Sequence, residues 1–455
     1  MKNLNLLTVG VFTLSLYLSA GCAQREIKIG PKEEKNRIPL VGKFEAIRYR
    51  LENGLNIIVV EDHSSPTFAY HTWFKVGSRN ETPKYTGLAH LFEHMMFKGT
   101  KTYKDGEFDR ILESAGAEGE NAFTNRDYTA YIQELPSSQL ELIMKLESDR
   151  MVNLVVDENS FKTEREVVQN ERRFRTENNP EGLMYQEMFE LAFTQHPYHW
   201  PVIGYEEDLN RMTAKDAVDF YKSYYSPNHA TVIVTGDVDP ARVYSLAKKY
   251  YGDLKPQTVA THDIAQEPEQ TASRRKTMKL NIQVEKLMMG YRIPELAHAD
   301  TPAFQFVETA LASGKSSRLH RALVETGIAT SVEAYGLDDK DPSLLMIGVN
   351  LQKGKKAAQA ETVVLRELAR LAKDGMSASE MERVRNRLEF DYYESFSSNS
   401  SLANTIGHYE TLLGDFESGI AIFEKAKKTT SQQVQETVRK YLDPKNRSVI
   451  IGVQK

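Results

Sequence analysis

The order of predicted secondary-structure elements repeats on either side of a polar, proline-bearing stretch at residues 254–276. Before this stretch, the strand-like runs LNIIVVED and FAYHTWFKV precede a helical segment at 86–98. After it, the strand KLMMGYRIP leads into two helices, AFQFVETALASG and SSRLHRALVETG, and then into the strand-like LLMIGVNL. This recurrence predicts an internal duplication. The alternative is that two unrelated domains share a generic order of strands and helices.

The sequence contains predicted strands and predicted helices on both sides of the stretch at residues 254–276. The other predicted elements are a hairpin in NAFTNRDYTAYIQEL, a buried strand at 230–239, and helices at 107–115, 137–153 and 157–176. We place the two domains at residues 45–253 and 277–455, with residues 254–276 as the linker between them.

The amino terminus has the layout of a secretory signal peptide. Residues 6–18, LLTVGVFTLSLYL, carry no charge, follow Lys2 and precede small residues. This run is too short to span a bilayer. Cys22 comes next, and LSAGC resembles the lipobox of bacterial lipoproteins, so residues 1–22 are predicted as the signal peptide and 23–44 as a tether. We expect an exported, periplasmic protein that contacts the membrane only through a lipid on Cys22; ordinary cleavage with an incidental thiol is the alternative.

Composition excludes several classes of partner and site. Lys and Arg number 58 against 63 for Asp and Glu, which gives a net charge of −5 and no basic footprint for nucleic acid. The single cysteine cannot form an intrachain disulfide, and it cannot build a zinc site of the finger or ribbon type. Any metal must therefore be held by histidines and carboxylates.

Residues 87–100, GLAHLFEHMMFKGT, contain His90, Glu93 and His94 in the order H-x-x-E-H. On a helix, positions 90 and 94 are one turn apart on the same face, so both imidazoles can reach one cation while Glu93 lies beside them. If the H-x-x-E-H pattern had arisen by chance, we would expect the two histidines to lie on the surface of a helix. The apolar residues that crowd the same segment indicate instead a buried helix, on which two histidines and a carboxylate need a partner.

A catalytic zinc site takes three protein ligands and leaves one position for water. The predicted helix at 157–176 contains KTEREVVQNERR, in which Glu164 and Glu171 are seven residues apart on one face. Charged helices are usually solvated, so spacing alone leaves four candidates open for the third ligand. These candidates are Glu164, Glu166, Glu171 and Glu177.

Five segments resemble the pitrilysin, insulinase and mitochondrial processing peptidase family of zinc metallopeptidases, with the match spanning residues 45–455. They are GLAHLFEHMMFKGT, ENAFTNRDYTAY, the ERxVVxxE pattern ending at Glu171, HPYHWPVIG and YSPNHATVIVTGDVD. In this family the third ligand lies 77 residues after the second histidine, and 171 − 94 = 77 identifies Glu171. The supporting acid seven residues earlier matches Glu164.

The resemblance implies two homologous α+β domains, each a mainly antiparallel sheet packed by helices, which close like a clam shell on a peptide. An offset of 215 residues sets Glu93 opposite Glu308, but His90 opposite Gln305 and His94 opposite Thr309. The second domain would then lack zinc ligands.

The implied function is a zinc endopeptidase that holds one Zn²⁺ per chain on His90, His94 and Glu171 and hydrolyses unfolded peptides or protein segments in the bacterial envelope. Glu93 would be the catalytic base and Glu164 would support it. The resemblance also places the substrate on an edge strand, bound through the backbone at Asn121 and Ala122.

Active members of the family usually carry an Arg and a Tyr in the carboxyl-terminal portion, and residues 336–352, GLDDKDPSLLMIGVNLQ, contain neither. We therefore expect a homologous partner subunit with an Arg/Tyr pair, and a homodimer is the alternative. The competing functional reading is a non-catalytic peptide-binding or scaffold subunit of the same fold.

Overall fold

A computed structural model of the protein describes residues 37–259 and 263–455. The predicted signal peptide, Cys22 and residues 23–36 of the predicted tether lie outside these described residues. No helix in the described ranges is both long and apolar enough to cross a membrane.

The first half of the chain forms a seven-stranded sheet whose strands are rich in Val, Ile, Thr and aromatic residues, as expected of buried strands. The strands are β1 (Arg37–Pro39), β2 (Glu45–Arg50), β3 (Asn56–Glu61), β4 (Thr67–Phe74), β5 (Glu118–Thr124), β6 (Thr129–Pro136) and β7 (Ala230–Gly236). Their order is β1-β2-β3-β7-β4-β6-β5, so β5 lies at one edge.

The second half forms a five-stranded sheet in the order β10-β11-β9-β12-β8. Its strands are β8 (Arg274–Leu280), β9 (Lys286–Ile293), β10 (Ala329–Gly336), β11 (Ser343–Leu351) and β12 (Arg447–Gln454). Read from the other edge, this order repeats β3-β7-β4-β6-β5, and the one parallel pair recurs as β3/β7 and β8/β12. The fold is α+β with two mainly antiparallel sheets, as predicted, and the shared topology supports a duplication.

The first half of the described chain contains eight α-helices and the second half contains six. The α-helices are α1 (Leu88–Met95), α2 (Glu107–Ser114), α3 (Leu140–Asn153), α4 (Glu158–Arg172), α5 (Pro180–Ala192), α6 (Glu206–Arg211), α7 (Ala214–Tyr224), α8 (Pro240–Tyr251), α9 (Thr301–Ala312), α10 (Ala357–Asp374), α11 (Ala378–Glu394), α12 (Asn399–Leu413), α13 (Glu417–Ala426) and α14 (Ser431–Tyr441). The helix predicted for SSRLHRALVETG is shorter than expected, because only residues 318–324 are helical, and His320–Val324 among them form a π-helix. Between α8 and β8 the described residues form no helix or strand, and β8 begins at Arg274, inside the predicted linker.

The two halves exchange a helix. Helix α5 of the first half packs on β12, β9 and β8 of the second sheet, and α12 of the second half packs on β4 and β7 of the first sheet. Each sheet is therefore covered on one face by its own helices and on the other by a helix from the other half. Because each half supplies part of the other's core, we expect the two halves to unfold together.

A turn of the second half, Asp338–Asp341, is bound by polar residues of the first half. The Lys340 N–H donates to the Asp127 carboxylate at 3.0 Å, and the Asp341 N–H donates to the Tyr198 hydroxyl at 3.1 Å. The Asp341 carboxylate pairs with Arg79 and lies 3.0 Å from Nε2 of His196. The segment HPYHWPVIG, singled out in the sequence, thus holds the two halves together.

These contacts predict an acid-dependent loss of stability. Burial raises the pKa of Asp341, but hydrogen bonds from His196 and Arg79 outweigh it and lower the pKa from 3.8 to about 2. The stabilisation is therefore complete above the unfolded value and disappears as the pH falls towards 2. We expect Asp341→Asn to lower the free energy of unfolding by about 2 kcal/mol at pH 7.

Denaturant unfolding of the metal-free protein at a series of pH values measures this difference. The difference in unfolding free energy between wild type and Asp341→Asn should shrink towards zero near pH 2. The difference between wild type and Asp253→Asn, a substitution at an exposed site, should not shrink with falling pH. A difference between wild type and Asp341→Asn that is the same at pH 7 and pH 2.5 would contradict the assignment.

Candidate metal centre

The motif GLAHLFEHMMFKGT forms α1, whose apolar residues face the core of the first half. His90 and Glu93 are each only 8% exposed, and His94 is partly exposed. The two imidazole rings meet edge to face with their centroids 4.9 Å apart, as expected for residues one turn apart. A short, buried helix thus presents two histidines and a carboxylate to one side.

Helix α4 packs against α1 and provides the acidic side of the site. It begins at an Asp157 cap that accepts hydrogen bonds from the N–H groups of Asn159 and Ser160 at 2.9 and 3.0 Å. Glu164 and Glu171, two turns apart, both face α1, whereas Glu166 is exposed and Glu177 pairs with Arg172 at 3.3 Å.

The imidazoles and Glu171 converge on one point. Oε2 of Glu171 lies 3.7 Å from Nε2 of His90 and 3.4 Å from Nε2 of His94, and one ligand atom from each residue lies within 4.8 Å of the others. Bond lengths of 2.0–2.1 Å at tetrahedral zinc put ligand atoms about 3.4 Å apart. The two histidine–glutamate separations are close to this value and the whole group lies within 4.8 Å, so these residues fit a zinc ion loosely. No other group of three or more potential ligands occurs in the described ranges.

Glu164 lies on the far side of His94 from Glu171. Its Oε2 is 3.5 Å from Nδ1 of His94, and its Oε1 is 2.7 Å from Nζ of Lys98. A proton held on Nδ1 leaves Nε2 of His94 as the nitrogen that can bind a cation. Burial opposes ionisation of Glu164, but the contacts with His94 and Lys98 dominate and lower its pKa.

The protonation of the two imidazoles differs. Burial, together with the neighbouring His94, lowers the pKa of His90 to about 4. Burial also acts on His94, but its hydrogen bonds with Glu164 and Glu171 raise the pKa to about 9. In the metal-free chain His90 is therefore neutral at pH 7 and His94 is protonated, so a metal has to displace a proton from His94. Nδ1 of His90 has no hydrogen-bond partner among the described residues.

Glu93 is oriented by the end of β5. The Thr124 hydroxyl donates to Oε2 of Glu93 at 2.6 Å, which leaves Oε1 for a proton. Burial raises the pKa of Glu93, and the hydrogen bond from Thr124 only partly offsets it. A carboxylate with a raised pKa is a better proton acceptor near neutral pH.

Asn121 and Ala122 lie on β5, at the free edge of the seven-stranded sheet and beside α1. They pair with Ile132 and Tyr131 of β6. The Ala122 N–H donates to the side-chain oxygen of its own neighbour Asn121 at 2.9 Å rather than to another strand. This N–H is the group that an added strand could use.

The corresponding helix of the second half, α9, holds no ligand set. At the offset of 215 residues, Gln305 and Thr309 stand opposite the two histidines, and Glu308 stands opposite Glu93. Burial and the nearby Asp338 raise the pKa of Glu308 to about 8, and its carboxyl group bonds the backbone of Gly336 at the end of β10. Both halves thus keep a carboxyl on the first helix beside the edge strand, and only the first keeps the histidines.

Three contributors to the site were missed in the sequence. Thr124 bonds Glu93, Lys98 bonds Glu164, and Nε of Arg175 lies 3.0 Å from Oε1 of Glu171. Arg175 is four residues beyond Glu171 on the π-helix that continues α4, and Lys98 is four residues beyond His94 in the turn after α1, so their spacing could have suggested both. No local signal pairs Thr124 with Glu93.

Residues 56–204 match the family model described as Insulinase (Peptidase family M16), and residues 211–388 match the one described as Peptidase M16 inactive domain. The zinc protease PqqE of Helicobacter pylori is 34% identical over 366 residues, which cover 79% of this chain and 82% of that protein. The chain belongs to the M16 peptidase family. This confirms the resemblance to pitrilysin and insulinase, and at family level the chain is a peptidase related to named zinc proteases.

Solved structures of proteases are similar to this M16 chain over nearly the whole fold. A protease from Helicobacter pylori superposes with a TM-score of 0.86 and 28% identity, covering 90% of this chain and 99% of that one. The periplasmic protease PqqL of Escherichia coli matches at 20% identity and a TM-score of 0.75, and this chain covers 48% of it. A fragment described as the first half of PqqL is covered to 93%. The M16 chain therefore has the fold of about half of PqqL.

Proposed function

We propose that this M16 chain is a zinc endopeptidase that hydrolyses unfolded peptides or protein segments in the bacterial envelope. The observation that carries the proposal is the convergence of His90, His94 and Glu171, with the buried Glu93 beside them. Binding of one Zn²⁺ by these three residues would leave a position for water. When bound, zinc supplies a Lewis acid that acidifies a water molecule and polarises a carbonyl.

Glu93 supplies the proton transfer in this proposal. Its free oxygen, Oε1, takes a proton from the attacking water and then delivers it to the amine that leaves as the peptide bond breaks. The hydrogen bond from Thr124 holds the other oxygen and fixes the direction of the transfer. Glu164 positions His94 through Nδ1, so its loss impairs the reaction without removing a ligand.

The experiment measures zinc content and peptide cleavage in the purified chain. We expect one zinc per chain, cleavage of unfolded peptides that a chelator stops, and recovery when zinc is added back. A protein that holds zinc and binds peptides without cleaving them would instead support the non-catalytic subunit. The non-catalytic subunit is the second candidate because residues 211–388 match a family model named for an inactive domain.

Peptide binding is proposed at β5 through addition of a strand. Ala122→Pro removes the N–H that faces the free edge, and an edge position tolerates proline in the folded chain. We expect kcat/KM to fall by about tenfold, because one hydrogen bond is lost and the ring obstructs the added strand. Arg37→Pro, in β1 at the opposite edge of the same sheet, is the matched control. Equal kcat/KM values for Ala122→Pro and wild type would place the substrate elsewhere.

We further propose that a homologous subunit completes the enzyme. Residues 336–352 lack the Arg/Tyr pair, and this chain has the fold of about half of PqqL. A partner with the pair would face the zinc-bearing cleft and grip the substrate carbonyl; a second copy of this chain is the alternative. Full activity of the isolated monomer or homodimer would argue against the heterodimer.

Export to the periplasm and anchoring through Cys22 complete the proposal. The signal-like residues 1–22 support them, and PqqL is described as periplasmic. Mass spectrometry of the mature protein tests the anchor. A lipidated amino-terminal Cys22 is expected, and an unmodified thiol would remove the lipoprotein assignment.

A further inference from the structure

Helix α1 has no capping side chain of its own. Its first residue follows Gly87, which has a φ of +92° and offers no side-chain acceptor to the free N–H groups of the first turn. The acceptor comes instead from Glu81, six residues upstream. Its two carboxylate oxygens accept from the N–H groups of Gly87 at 2.9 Å and Ala89 at 2.8 Å. Ala89 directly precedes His90.

The burial of the Glu81 carboxyl group is not explained by an ion pair. The side chain is buried, 6% exposed, and no basic group forms an ion pair with it in the ranges 37–259 and 263–455. Burial raises its pKa, against the effect of the backbone N–H groups. A buried carboxyl without a cation is costly, so its bonds to the first turn of α1 must compensate.

The segment that carries Glu81 is fixed at several points. The N–H groups of Ser78 and Arg79 donate to the carbonyls of Asn125 and Arg126 at 3.1 and 2.8 Å, in the turn that follows β5. Arg79 also pairs with Asp341 of the second half. Glu81 is therefore held relative to both the edge strand and the second half.

The other side of the first turn is closed by backbone packing. A Cβ on Gly87 would lie 2.6 Å from the Ile203 carbonyl oxygen, and one on Gly204 would lie 2.2 Å from the Thr86 oxygen. Gly204 is the last residue of HPYHWPVIG. These two glycines thus allow two segments of the backbone to come into contact, and this contact leaves the start of α1 little freedom to shift.

We propose that Glu81 is a positioning residue for the metal-binding helix: it holds the first turn of α1 so that His90 and Glu93 face Glu171. The inference rests on the proposed zinc site. Glu81 touches neither metal nor substrate in this account. It acts through the backbone of Ala89, and Arg79 links it to the half of the chain that carries no ligands.

The test compares Glu81→Gln and Glu81→Ala with Glu285→Gln. Glu285 is the matched control because it accepts the Ala357 N–H at 2.8 Å at the start of α10, in the second half. We measure the zinc dissociation constant by competition with a chromophoric chelator, the melting temperature, kcat and KM. We expect Glu81→Gln to weaken zinc binding by about tenfold and to lower kcat at an almost unchanged KM, since β5 stays in place. Glu81→Ala should have a larger effect, and Glu285→Gln should lower only the melting temperature.

Three results would overturn the positioning role. One is a folded Glu81→Gln protein with the zinc affinity and kcat of wild type. Another is a loss of zinc affinity in Glu81→Gln no larger than that in Glu285→Gln when both variants lose the same melting temperature. The third is a failure of both Glu81 variants to fold, which would make the carboxyl a requirement of the whole fold. A wild-type chain that neither binds zinc nor cleaves peptides would instead reject the proposed function itself.

Discussion

Glu93→Gln is expected to lower kcat for peptide cleavage by at least a hundredfold while zinc binding stays at the wild-type level. The amide cannot accept the proton that Oε1 takes in the wild type, and general-base catalysis contributes about 10²–10⁴-fold to rates. Glu93 is not one of the three converging ligands, and the amide keeps the size and most of the packing of the carboxylate. Steady-state kinetics and metal analysis of the same preparation measure both effects.

Thr124→Val separates orientation from proton transfer. It removes the hydroxyl that donates to Oε2 of Glu93 but retains the branched shape of the side chain. We expect a smaller loss of kcat, about tenfold, because one neutral-to-charged hydrogen bond is removed. Zinc-loaded Glu93→Gln that cleaves peptides at the wild-type rate would refute the role of Glu93, whatever Thr124→Val does.

His94→Ala is expected to abolish stable zinc binding and, with it, cleavage. Two ligands remain, and the Glu164 carboxylate loses its partner on the imidazole. The zinc dissociation constant should rise by more than about a hundredfold, beyond the 10–100-fold range that is usual when a residue supporting a ligand is removed. Glu171→Gln should act in the same way, since a neutral amide is a poor zinc ligand.

Glu164→Gln tests whether the two glutamates of α4 differ as their contacts indicate. Glu164 touches Nδ1 of His94 and Lys98, so its substitution should weaken zinc by about 10–100-fold and leave measurable activity. His298→Ala, at a half-buried histidine in the second half, should change neither quantity. Zinc affinity that survives Glu171→Gln but is lost in Glu164→Gln would reverse the assignment of the third ligand.

Local patterns predicted the strands and the motif helix because hydrophobic periodicity and cap residues act over a few neighbours. The run LNIIVVED, which forms β3, and the helix predicted at 157–176, which Asp157 caps at its start, are examples. The strand-like run FAYHTWFKV contributes most of β4, and seven of the eight residues of β4 are buried. Both faces are covered, because α12 packs on the side away from the helices of the first half.

The exchange of α5 and α12 could not be predicted from the sequence. Each helix follows elements of its own half and carries no local sign that its apolar face belongs to the other sheet. α5 is joined to α4 by only a few residues, but it packs on β8, β9 and β12 instead of on the first sheet. Contacts between residues so distant in sequence depend on how the two sheets are placed, which periodicity does not encode.

The candidate site was predictable in part. The H-x-x-E-H spacing on one helix identified His90, Glu93 and His94, because residues one turn apart share a face. Spacing on α4 left four glutamates open, and the resemblance to a family was needed to choose between Glu164 and Glu171. The choice depends on how α4 crosses α1, which places Glu171 beside both Nε2 atoms and Glu164 beside Nδ1 of His94.

The most direct test is anomalous diffraction at the zinc edge from crystals of the zinc-loaded chain. The predicted result is a single strong peak bounded by Nε2 of His90, Nε2 of His94 and a carboxylate oxygen of Glu171, with the fourth side open towards β5. A peak on other residues, or no peak in protein crystallised with excess zinc, would contradict the account.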